Sequence, residues 1–241
     1  MAEGLVIAAG ARGTVARDKD TGETVWSHRY QKGQASPARM VYDAMRHRVI
    51  VSVNWYAILS FDIKSGRIEW ICDDDRIWFR TSTPLLLGDS LYVMARGNVT
   101  EIQAESGEVT RSVSIDDTIF EVSSCPLYHE GLLYVPTANK GVISIDTETL
   151  SKITVYPSDN ANLFTSPYLF GEVETVESTP VIMGDTLVFT TLGGTVRFYR
   201  IGCDTPSRVV SIGSPSLHSP IFKDSEMLVM GFDGFVTSFG I

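Results

Sequence analysis

The stretch GTVARDKDTGETVW, residues 13–26, decides how this chain is read. It is a short strand, a turn at Thr21-Gly22-Glu23, and a second strand closed by Trp26. It returns as YAILSFDIKSGRIEW at 56–70, and more faintly as NVTEIQAESGEVTR at 98–111 and GVISIDTETLSKIT at 141–154. A unit recurring about every forty residues sets the architecture before any one element does, because each copy buries its apolar face on its neighbours.

Outward from that stretch, apolar residues alternate with period two, and turn pairs interrupt them at short intervals, as in all-β folds. Four strands, A to D, fit each unit. The A strand follows a Ser- and Pro-containing approach: Ser36-Pro37, Ser82-Thr83-Pro84, Ser124-Cys125-Pro126, Ser178-Thr179-Pro180 and Ser219-Pro220. Proline at the first position of a strand loses no ladder hydrogen bond. Gly88-Asp89, Glu130-Gly131 and Gly184-Asp185 turn A into B, and Gly-containing connections such as Arg96-Gly97-Asn98 and Gly193-Gly194 lead to C. B and C strands occur six times, with C strands near 13–18, 57–62, 98–103, 142–146, 195–199 and 235–240, whereas A and D strands occur five times. The pattern predicts a single all-β domain over 1–241: a β-propeller of four-stranded antiparallel blades, six in number, with incomplete terminal blades. A five-bladed ring, its last blade completed by N-terminal strands, is the alternative.

The repeat resembles that of the quinoprotein-like β-propellers, the pyrroloquinoline-quinone-type repeat family, whose pattern is Ala-x-Asp-x-x-x-Gly-x-x-x-Trp. Ala16, Asp18, Gly22 and Trp26 match it fully, and Ser60, Asp62, Gly66 and Trp70 match with serine for alanine. The third copy keeps Gly107 but has Gln103 and Arg111 at the Asp and Trp positions, and the fourth keeps Asp146 with Leu150 and Thr154 elsewhere. The motif's chemistry is structural. The small residue allows close approach, the aspartate accepts from turn amides, glycine takes a positive φ and tryptophan wedges between blades. The resemblance also implies quinone-dependent oxidation, but in larger rings with a calcium site and, in one branch, adjacent cysteines. This chain has no adjacent cysteines and no evident carboxylate cluster for calcium. No cofactor and no metal are therefore expected. The same repeat occurs in a lipoprotein scaffold that helps assemble outer-membrane proteins, so the resemblance implies non-catalytic roles as well.

A net charge of −9 opposes nonspecific binding to nucleic acid or an anionic membrane, both of which need a basic field. No apolar run reaches the roughly eighteen residues of a membrane span. Cys72, Cys125 and Cys203 show no metal or redox spacing and read as reduced thiols. The N-terminal MAEGLVIAAGARG reads as a first strand rather than a signal peptide, which gives a cytoplasmic expectation.

In a propeller, D-to-A and B-to-C connections emerge on one face, and A-to-B and C-to-D turns on the other. The second face is spare. The first is rich in the side chains of interface anchors: Arg12, Tyr30, Trp55, Tyr56, Trp78, Phe79, Arg80, Phe120 and Phe232. The longest departure from the repeat, residues 157–177 with Phe164, is a lid over the channel, a contact arm or an extra hairpin. Nucleophile and zincin motifs are missing. The expected function is a non-catalytic propeller that binds another protein through this face, as a scaffold, adaptor or toxin-neutralising partner. A small-molecule module with ligand at the channel mouth, charged by Arg12, Arg80 and Arg96, is the runner-up, and a propeller enzyme comes third.

Overall fold

This computed structural model describes residues 2–32, 34–35 (backbone alone), 39–77, 82–116, 118–161 and 173–240, and among these all the regular elements are strands. The chain divides into two compact units, Met1–Ser114 and Ile115–Ile241. The first unit holds three antiparallel sheets. β1 (Leu5–Gly10), β2 (Gly13–Asp18) and β3 (Thr24–Arg29) form the first, which has no A strand. The second contains β4 (Gln34–Ala35), β5 (Val41–Asp43), β6 (Arg48–Asn54), β7 (Ala57–Asp62) and β8 (Ile68–Cys72). Its A edge is split, since β5 pairs with Arg48 to Ile50 of β6 and β4 with Val53 and Asn54. The third is β9 (Leu85–Leu87), β10 (Ser90–Ala95), β11 (Asn98–Gln103) and β12 (Val109–Ser114).

The second unit repeats the scheme. β13 (Leu127–His129), β14 (Leu132–Pro136), β15 (Val142–Asp146) and β16 (Lys152–Tyr156) make one sheet. β17 (Val181–Met183), β18 (Thr186–Thr190), β19 (Thr195–Arg200) and β20 (Arg208–Ser211) make the next. β21 (Ile221–Lys223), β22 (Glu226–Met230) and β23 (Val236–Gly240) close the series without a D strand. Six sheets with three-stranded first and last members agree with the strand count from sequence. Pro84, Pro126, Pro180 and Pro220 sit one residue ahead of their A strands, where a missing amide hydrogen costs nothing; Pro37 lies outside the described residues.

The repeat motif fastens the first sheet to the second and the second to the third. Asp18 Oδ1 accepts from the amides of Asp20 and Thr21 at 2.9 and 2.8 Å, and Asp62 Oδ1 accepts from Ser65 N at 2.8 Å. These bonds hold both carboxyls below the usual carboxylate range, Asp18 chiefly through the Thr21 amide and Asp62 chiefly through the Ser65 hydroxyl. The turn delivers a glycine at positive φ, 74° at Gly22 and 70° at Gly66. At Gly66 the missing side chain matters twice, because a Cβ there would lie 2.5 Å from Trp26 Cδ2. Trp26 also stacks on Phe61 at 5.7 Å and donates its indole N–H to Ile63 O at 2.8 Å. Trp70 repeats the arrangement, 2.6 Å from a Cβ at Gly107 and donating to Ala104 O at 3.0 Å. Ala16 is fully buried in the same core as Trp26.

Where the motif decays, other chemistry takes its place. Arg111 stands at the third tryptophan position and pairs with Glu101 at 2.6 Å. Burial raises the Glu101 pKa, but the Ser90 hydroxyl and Arg111 outweigh it and leave the carboxyl below its ordinary value. The unfolded chain therefore binds more protons than the folded one in the acid range, so this contribution is complete above the unfolded pKa of about 4.3 and is lost as pH falls through the folded value. Urea unfolding of the first unit is expected to show stability falling as the pH drops below the ordinary carboxylate pKa of about 4.3, with a flatter profile in Glu101→Gln. Identical slopes for the two proteins would contradict this assignment.

In the second unit Leu150 occupies the glycine position at φ 55°, fully buried, and Asp146 still accepts from the amides of Glu148 and Thr149. Tyr156, at the end of β16, reaches the following sheet, and its hydroxyl accepts from Gly202 N at 3.1 Å. Its ring meets Tyr199 edge-on at 5.4 Å, and Tyr199 stacks on Phe189 at 5.5 Å, all three rings fully buried.

Candidate interaction surface

Antiparallel alternation sends the B-to-C and D-to-A connections out of one end of each sheet and the A-to-B and C-to-D turns out of the other. At the first end of the first unit, Arg12 is exposed on the turn between β1 and β2. Tyr30 is not exposed beside it. Its amide donates to Arg12 O at 3.0 Å, but the ring is 7% exposed in the core and its hydroxyl pairs with Thr14 Oγ1 at 2.6 Å. Burial raises the Tyr30 pKa. The sequence could not reveal this, because the residue after a D strand points inward or outward according to the strand's bulge.

Between β6 and β7 the chain turns through Asn54-Trp55-Tyr56, closed by Tyr56 N donating to Val53 O at 3.1 Å. Trp55 takes a left-handed φ of 63° and keeps 38% of its surface exposed. A bulky side chain in that region costs about 1–3 kcal/mol and persists only when its surroundings impose it. Tyr56 is half-buried, with Lys32 Nζ 5.0 Å above its ring. Arg96 is exposed on the next such turn, also left-handed at φ 50°. The run Asp73-Asp74-Asp75 after β8 is partly neutralised locally, since Arg76 Nε donates to Asp74 Oδ1 at 2.7 Å. Trp78, Phe79 and Arg80 lie outside the described residues.

At the same end of the second unit, Phe120 is half-buried against Val122, Ala138 and Val173, and its amide donates to Asn139 Oδ1 at 3.0 Å. Phe232 is 51% exposed, and Phe235, which reads from sequence only as a strand residue, is 72% exposed beside it. The base of residues 157–177 is an antiparallel bridge between Ala161 and Val173. Glu174 fastens it further, Oε2 accepting from Ser158 N and the main-chain oxygen from Gly141 N, both at 2.9 Å. Asp159 accepts from Thr195 Oγ1 at 3.0 Å and faces Arg197 Nε at 3.5 Å. Phe164, and with it the choice between lid, arm and hairpin, lies outside the described residues.

At the opposite end of the first unit, Arg46 and Arg48 are paired within the unit. Arg46 bonds Asp43 at 3.0 Å, Glu105 at 2.9 Å and also Asp89, while Arg48 bonds Glu105 at 3.1 Å. Asp43, 1% exposed, is the main cause holding the Arg46 guanidinium above its usual pKa. Beside this network a cavity of about 140 Å³ is lined by Ala2, Ile7, Met40, Tyr42, Val49 and Ile63. Tyr42 donates to Glu3 Oε1 at 3.0 Å, and His47 and Lys64 face the same carboxylate, which His47 holds below its ordinary pKa. Among the described residues no group of three acidic, histidine or cysteine side chains is arranged to hold a metal.

Six successive antiparallel meanders define a β-propeller, and solved structures share that fold. The crystal structure of BamB from Moraxella catarrhalis matches with a TM-score of 0.69, covering 100% of this chain and 73% of that one at 13% identity. The crystal structure of the computationally designed Ika8 protein matches with a TM-score of 0.76, covering 100% of this chain and 69% of that one, also at 13% identity. The family described as outer membrane protein assembly factor BamB has a model that matches residues 1–154, and this chain belongs to that family. No curated protein sequence matches the chain.

Proposed function

We propose that this chain is a non-catalytic scaffold that binds another protein through the sheet ends bearing its B-to-C and D-to-A connections. The observation that carries this reading is Trp55, a bulky aromatic held in left-handed backbone with 38% of its surface exposed, followed by Tyr56 with Lys32 over its ring, while Arg12 is exposed on the B-to-C turn of the first sheet. Aromatic and arginine side chains are the residues from which binding hot spots are built. The opposite end supports the choice by contrast, since Arg46 and Arg48 there are already paired with carboxylates of their own unit. The family's description as an assembly factor favours a polypeptide partner.

Recovery of partners from native extract by the wild-type chain, followed by titration with the recovered protein, tests the reading. Trp55→Ala combined with Arg12→Ala is expected to weaken binding at least tenfold, as truncation of a hot spot does. The triple change Trp78→Ala, Phe79→Ala and Arg80→Ala is expected to act in the same direction. Full affinity in both variants overturns the proposal. The cavity beside Tyr42 supports a second reading, a small apolar ligand, since a cavity of similar size in other proteins accommodates benzene. A ligand-induced rise in melting temperature that Val49→Phe abolishes is its expected signature.

A further inference from the structure

The cations of the first unit are sorted by end. Lys19, Arg46, Arg48, Lys64, Arg67 and Arg111, on or beside the A-to-B and C-to-D turns, each pair with a carboxylate. Arg12, Lys32 and Arg39 belong to the other end or its approaches, are exposed, and form no ion pair among the described residues. Residues 1–114 hold fourteen basic and fourteen acidic residues, so the net charge of −9 resides in residues 115–241 and the first unit is neutral as a whole. Pairing at one end therefore leaves uncompensated positive charge at the other, on the side where Trp55 and Tyr56 stand.

The second sheet sets the spacing of these groups. Lys32, on the connection from β3 to β4, lies over the Tyr56 ring, and Trp55 beside it is the exposed aromatic of the same turn. Arg39 lies on the A edge between β4 and β5, its amide donating to Thr83 Oγ1 at 2.9 Å. Since β4 pairs with Val53 and Asn54 and β5 begins opposite Ile50, Arg39 is level with Val51 and Ser52. The rise of a strand puts it about 10–13 Å from Trp55. The run Asp73-Asp74-Asp75 follows β8, at the opposite edge of the sheet. Three strand spacings separate it from Arg39 by about 14 Å, more than the screening length of about 8 Å at physiological salt, and Asp74 is already taken by Arg76.

We propose that this end of the first unit receives an extended acidic segment of the partner polypeptide, with carboxylates on Lys32 and Arg39 and an apolar side chain against Trp55. The proposal names the partner's chemistry at the Trp55 surface and so rests on that reading. Alternate side chains of an extended chain share a face, so carboxylate, apolar group and second carboxylate at every other position span about 13 Å, which matches the spacing of the receiving groups. The probe is a blocked pentapeptide with glutamate at both ends, phenylalanine in the middle and serine between, titrated at low salt into the 15N-labelled 241-residue chain. Saturable amide shifts are expected at Lys32, Arg39 and Tyr56, with binding about fivefold or more weaker when glutamine replaces both glutamates. Lys32→Glu with Arg39→Glu is expected to weaken the glutamate peptide about tenfold or more and to admit the same peptide with lysine at both ends. Both side chains are exposed, and an unchanged amide spectrum elsewhere checks the fold. No shift at these amides, equal binding by the glutamine peptide, no effect of the double reversal, or tighter binding of hexathymidylate at the same amides each overturns the proposal, the last by making a nucleic acid the occupant. The Trp55 surface is judged by the recovered partner and its own variants, so an interaction there that ignores charge fails this proposal alone.

Discussion

Trp26→Ala is expected to lower the stability of the first unit by about 3–5 kcal/mol, the range for deleting a large buried aromatic. The residue loses its stacking on Phe61, its contact with Gly66 and its hydrogen bond to Ile63 O together. All four tryptophans fall within residues 1–114, so tryptophan fluorescence in a urea titration reports this unit directly. The glycine side of the same contact makes a sharper comparison. Gly66→Ala adds a Cβ 2.5 Å from the indole on top of a strained φ, while Gly22→Ala meets only the φ cost of about 1 kcal/mol. Gly66→Ala is expected to be the more damaging of the two, and its excess cost is expected to shrink in a Trp26→Ala background, since the clash goes with the ring. Equal costs at Gly22 and Gly66 would show that the fastener is not what these glycines serve.

Tyr156→Ala is expected to cost a similar amount, about 3–5 kcal/mol, in the second unit. It removes a fully buried ring that lies between Tyr134 and Tyr199 and the hydroxyl that accepts from Gly202 N. Tyr156→Phe separates the two contributions. It keeps the ring packing and is expected to cost only about 0.5–1.5 kcal/mol, the net worth of one hydrogen bond, helped by the exposure of Gly202 to water. Near-ultraviolet circular dichroism at the tyrosine band, with the first unit monitored separately by fluorescence, reads both variants. A Tyr156→Phe protein as unstable as Tyr156→Ala would mean that the hydroxyl, rather than the ring, joins the two sheets.

The fold was legible because its signals are local and repeated. Alternation and glycine turns recur along the whole chain and proline-led A strands in five copies, so errors at one copy are corrected by the next, and Ala16, Asp18, Gly22 and Trp26 mark the fastener by type alone. Split pairing of β4 and β5 was not legible, because nothing in residues 34–43 distinguishes an interrupted edge from a short strand preceded by a loop. The candidate surface was read less well. Arg12, Trp55, Tyr56 and Phe232 stand at the expected sheet ends, but Tyr30 turned inward, Phe120 is half-buried, and Phe235 was missed. Exposure of a connection residue depends on what packs beneath it, which is a non-local fact.

The sequence by itself determined the strand order within each unit and the fastener's residue types, since period-two alternation and positive-φ turns are properties of short segments, while six sheets rather than five came from the structure. Tertiary structure alone decided what each fastener grips. A bulge between Ala16 and Arg17, repeated between Ser60 and Phe61, turns Trp26 and Trp70 onto the same face as the small residue of their own sheet. From there each ring lands on a glycine some forty residues further along the chain, at Gly66 and Gly107.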